Sequence, residues 1–98
     1  MADEQTGLPS EPISVFPVLS MVIEQMSSIA WQKLGLQHDP FVGGLHKNLP
    51  EARIAIDAVA ALIPLLEPSL DESDKRQVQT LLRDLRVNYV NHSGGEDS

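Results

Sequence analysis

Three histidines are the first side chains in this sequence whose types could support chemistry. His38 and His46 bracket a connector, Asp39 lies beside the first of them, and His92 is far along the chain. Two imidazoles and a carboxylate on one loop have the donor types of a metal site. The gap between the histidines matches no ligand motif, however, and partly exposed imidazoles are ordinary on a surface loop. Gly43-Gly44, followed by Lys47 and a helix start, has the outline of an anion cradle. A phosphate loop needs a longer glycine spacing ending in Lys-Ser/Thr, and Glu51 in the helix's first turn would repel a phosphate. The two glycines therefore read as a turn. Ser27-Ser28 has neither a nearby base nor a glycine elbow, so a serine nucleophile is unsupported. The chain has no cysteine, which excludes disulfides, thiol catalysis and Cys-ligated zinc. No catalytic, cofactor or metal site is assigned, and the chain is read as non-enzymatic.

The charged residues point to protein rather than polyanion partners. Formal net charge is −7, and Asp3, Glu4, Glu11, Glu96 and Asp97 in the tails carry most of it, leaving −2 for residues 13–92. Such a chain has no long-range attraction for nucleic acid or anionic lipid. Arg76 and Arg83 fall on the third helix opposite its leucines, and Arg86 borders that stripe. With Asp84 and an acidic helix start beside them, they read as a solvated face. Asp57 stands within an apolar segment and needs a partner if it is removed from water. Arg53, one turn back, is favoured, and Arg86, across the helix–helix seam, is the alternative. Trp31 and Met26 read as core filling.

Helices must position all of these. The spacing predicts a first helix over about 17–34, with Ser14 upstream as N-cap, Pro17 in the first turn and Gly35 as a left-handed stop. Leu19, Val22, Ile23, Met26, Ile29, Ala30 and Leu34 form its apolar face. Residues 36–47 form a connector whose Phe41 and Leu45 are expected at the core edge. Asn48 and Glu51 suggest a capping box for the second helix. Ala52, Ile56, Val59, Ile63 and Leu66 make its main stripe, widened by Ala55, Ala60 and Leu62, while Ile54, Ala61 and Leu65 lie on the far side. A helix apolar nearly all round belongs in a central position or at a subunit interface. Pro64 implies a kink or an early end. Asp71 caps a third helix carrying Val78, Leu81, Leu82, Leu85 and Tyr89 on one face, with Gly94-Gly95 as its stop. The expected fold is all-α, a small three-helix up-down-up bundle over residues 13–92, between flexible acidic tails at 1–12 and 93–98.

Over residues 16–90 the order of features resembles the small bacterial helical proteins of domain-of-unknown-function family 1844. The matching residues are Leu34-Gly35, Asp39-Pro40 and Gly43, then Asn48-Leu49, Ala52 and Ala55-Ile56-Asp57, then Leu70, Leu85-Arg86 and Tyr89-Val90. Pro64 departs from the family's pattern. The resemblance implies a compact helical domain and no particular activity.

No basic start followed by an apolar run marks a secretory signal, and no stretch is long and apolar enough to span a bilayer. The expected place is therefore the cytoplasm. The expected role is a helical protein–protein interaction module that self-associates, with a helical protein as the other possible partner and neither nucleic acid nor membrane. The alternative is a small-molecule or metal-binding domain using loop 36–47 through His38, Asp39 and His46.

Overall fold

The computed structural model describes residues 12–38 and 43–97. Three α-helices account for most of these, and there is no strand among the described residues: α1 (Val15–Lys33), α2 (Leu49–Leu66) and α3 (Glu72–Asp97). A 3-10 turn, Glu67–Ser69, joins the last two. The fold is the small all-α helical arrangement read from the apolar periodicity.

Each helix starts where a polar side chain can satisfy an otherwise orphaned amide. Ser14 accepts from the Phe16 amide at 3.3 Å, Asn48 Oδ1 from the Glu51 amide at 3.2 Å, and Asp71 Oδ1 from the Asp74 amide at 2.8 Å. The end of α1 is a complete Schellman closure. Leu36 N–H donates to Trp31 O and Gly35 N–H to Gln32 O, both at 3.0 Å. This closure requires the left-handed conformation, and Gly35 has φ 83°.

The capping box at Asn48 forms only by half. Instead of accepting from Asn48 N–H, Glu51 pairs with Lys33 Nζ at 3.4 Å, and Asn48 N–H donates to Lys33 O at 2.7 Å. A free carbonyl at the end of α1 outcompetes the Glu51 side chain for that amide. The end of α1 and the start of α2 are thereby held side by side.

Pro64 cannot donate to Ala60 O. The helix nevertheless runs two residues beyond it, to Leu66, the last residue of its expected stripe, and only then tightens into the 3-10 turn. Gly94-Gly95 does not stop α3, which continues to Asp97. Neither glycine adopts the positive φ that Gly35 uses. Glycine within a helix costs about 1 kcal/mol but does not itself terminate it.

α2 is the central element. α1 and α3 both pack on it and touch one another little. The core comprises Ile23, Ala30 and Leu34 of α1, Ala52, Ala55, Ile56, Val59, Ile63 and Leu66 of α2, and Leu82 and Leu85 of α3. Three of these are alanines, and Ser27 is buried among them on the α1 face, its hydroxyl donating to Ile23 O at 2.7 Å. Small side chains at this seam let α1 and α2 approach closely.

Two expectations about burial are corrected. Val22, assigned to the core face, is 37% exposed, because the covered side of α1 centres on Ile23, Ser27 and Ala30. Leu45 is 56% exposed rather than tucked in, since residues 43–47 run outside the helices. Ile54 and Leu65, read on the far side of α2, are exposed. Phe41 lies outside the described residues, as do Asp39 and residues 1–11.

Candidate interaction surfaces

The connector brings no ligand set together among the described residues. His38 is exposed. His46 Nε2 lies 2.6 Å from Gly43 O, and against a carbonyl the ring nitrogen must be the donor, so this bond closes the turn. Gly43 and Gly44 both have φ 74°, the backbone of a tight turn. His92 sits on α3 with Nδ1 2.8 Å from Asn88 O, one turn back, and its own carbonyl accepts from Lys47 Nζ at 3.4 Å. The histidines thus stand in separate local roles, and among the described residues no three of His, Cys, Asp and Glu come close enough to hold a metal.

Asp57 is not removed from water. Its side chain is 69% exposed and its partner is Arg53, with Nε 3.9 Å from Oδ2. The premise of a buried carboxylate fails because the side of α2 that carries Asp57 is uncovered. Arg86 lines the same α2–α3 groove, with Ile56, Tyr89 and Val90 as its apolar part, but makes no ion pair among the described residues. Along the basic side of α3, Lys75 pairs with Glu72 at 3.4 Å and Arg83 lies 3.8 Å from Asp84, whereas Arg76 has no ion pair among the described residues. Gln79 donates to Glu67 at 2.9 Å. Trp31 and Met26 are half-buried against the core, as space-filling residues.

Apolar side chains left in the open are the surface feature that remains. On α2, Ile54 is 68% and Leu65 59% exposed, with Ala61 between them, at positions that share the side opposite the core. On α1, Val15 (59%), Val18 (45%) and Met21 (62%) are equally open. Val87 is exposed on the outer side of α3, and Val90 at the rim of the α2–α3 groove. The sequence places Ile54, Ala61 and Leu65 on the far side of α2 but gives Val15, Val18 and Met21 no role. A clue was present, since the apolar arc of α1 is too wide for one neighbour to cover.

Three helices centred on α2, with open apolar sides and no assembled polar constellation among the described residues, define a small all-α protein whose prominent surface is hydrophobic. Residues 17–91 match the family described as Domain of unknown function (DUF1844), and the chain belongs to that family. No curated protein and no solved structure matches it. No helix among the described residues is long and apolar enough to cross a membrane.

Proposed function

We propose that this protein is a non-enzymatic helical interaction module that associates with copies of itself through the outer side of α2, centred on Ile54, Ala61 and Leu65. One observation carries the reading: a helix apolar nearly all round has Ile54 and Leu65 about two-thirds exposed in the single chain. Exposed apolar patches of this kind mark contact surfaces. Val87 and Val90 extend the apolar surface available to a helical partner. The acidic charge disfavours nucleic acid and anionic lipid as partners. A cysteine-free chain suits a reducing compartment, and we place it in the bacterial cytoplasm.

Sedimentation tests the reading. The wild type is expected to run as a dimer or larger species at micromolar concentration. Ile54→Lys should run as a monomer with an unchanged helical circular dichroism spectrum, because residue 54 is 68% exposed in the single chain. A wild type that is monomeric at tens of micromolar refutes self-association.

A further inference from the structure

Five open residues lie on one side of the molecule: Val15, Val18 and Val22 of α1, and Ile54 and Leu65 of α2. On α1, Ser20 and Glu24 face α3, since they line a shared cleft with Asp74, Gln77 and Leu81. At 100° per residue, Val15, Val18, Val22 and Ile29 lie on the side of α1 turned away from that cleft. On α2, Arg53 and Ile56 border the α3 groove, and Ile54, Ala58, Ala61 and Leu65 point away from it. Among the described residues, the α1–α2 hairpin is thus covered by α3 on one face and bare on the other, and the exposed side chains of the bare face are mainly apolar along both helices.

That face has an internal symmetry. On α2 the order is large, small, small, large: Ile54 and Leu65 flank Ala58 and Ala61 about a centre between residues 59 and 60. On α1, Val15 balances Ile29 and Val18 balances Met26 about Val22, Ile29 and Met26 being half-buried against the core at the edge of this face. The two centres are level. Lys33 and Asn48 are joined by a hydrogen bond, and each centre lies about 17 Å from that joint at 1.5 Å per residue. One two-fold axis across the hairpin therefore satisfies both helices at once, and an isologous contact between copies needs that self-complementarity.

We infer that the partner on this face is a second copy of the chain, docked back to back about an axis through Val22 and the middle of α2. Each helix then lies antiparallel on its own counterpart, giving a four-helix core with an α3 on either outside. This rests on the self-association proposed above and extends it to α1. Charge permits the contact. Between Val15 and Gln32 the only charged residue is Glu24, on the α3 side, and between Ile54 and Leu65 it is Asp57, already paired with Arg53. Area permits it as well. The exposed parts of Val15, Val18, Val22, Ile54 and Leu65 come to roughly 440 Å² per protomer, before the half-buried Leu19, Met26 and Ile29 are added, against about 800 Å² per partner in a standard interface.

Cysteine cross-linking of the full chain tests the geometry cleanly, because the sequence contains no cysteine. Val22→Cys, next to the axis, should form a disulfide-linked dimer under mild oxidation. Ile54→Cys and Leu65→Cys should each fail to link alone and should link when the two proteins are mixed. A wild type that sediments as a dimer while Val22→Cys stays reduced and the mixture fails to link would overturn this arrangement and leave self-association standing. Linking of Ile54→Cys to itself would likewise overturn it, because that requires parallel α2 helices or a two-fold axis at residue 54 rather than at the middle of α2. A monomeric wild type removes both. Should Val22→Cys lose its helical spectrum, the mixed pair on α2 alone decides.

Discussion

Ser27 offers the sharpest test of how α1 packs on α2, because its buried hydroxyl looks indispensable and the structure says otherwise. It is 6% exposed and donates to Ile23 O at 2.7 Å. That carbonyl already accepts the Ser27 amide as part of the helix, so Ser27→Ala orphans no acceptor. The change loses a hydrogen bond with a net value of about 1 kcal/mol. Against this, alanine is the better helix former, a gain of up to about 0.5 kcal/mol. The expected balance is a loss of only about 0.5 kcal/mol, a fall in Tm of roughly 2–4 °C for a domain of this size. Ser27→Val should cost more. Its added methyl meets a seam whose close approach depends on small residues, and overpacking costs about 1–3 kcal/mol. Urea unfolding followed by circular dichroism measures both, at one fixed protein concentration because association adds to apparent stability. A Ser27→Ala variant destabilised by more than about 1 kcal/mol, or a Ser27→Val variant as stable as wild type, would refute the close small-residue seam.

Three further outcomes follow from particular contacts. Arg86→Ala should change stability by less than about 0.5 kcal/mol, and a double-mutant cycle with Asp57 should give a coupling near zero, since the partner of Asp57 is Arg53. The Arg53–Asp57 cycle should itself give only a few tenths of a kcal/mol, falling with salt, because both side chains are about 70% exposed. Gly35→Ala should destabilise by about 1 kcal/mol or slightly more, measured by the same unfolding curves, because φ 83° is strained for any residue with a Cβ even though the new atom would clear Lys47 at 3.5 Å.

The helix starts and the end of α1 were legible in the sequence because they depend on chemistry within a few residues. Ser14, Asn48 and Asp71 cap amides two or three positions ahead, and Gly35 supplies a conformation its neighbours cannot. Family membership was legible too, since it lies in the order of such features along residues 17–91. The Arg53–Asp57 pair could be read from a one-turn spacing.

Tertiary structure alone decided where groups with more than one available partner would go. Asn48 N–H had Glu51 within reach by sequence but took Lys33 O, which only the folded hairpin brings near. Gly94 and Gly95 had the composition of a stop but kept to the helix. Above all, periodicity marks which sides of a helix are apolar and does not say how many neighbours will cover them. α1 and α2 each carry more apolar arc than one chain of three helices can bury. Which part closes over Ile23, Ser27 and Ala30, and which leaves Val22, Ile54 and Leu65 in the open, follows from α3 taking one side of the hairpin. That choice joins residues far apart in the chain, and no local pattern encodes it.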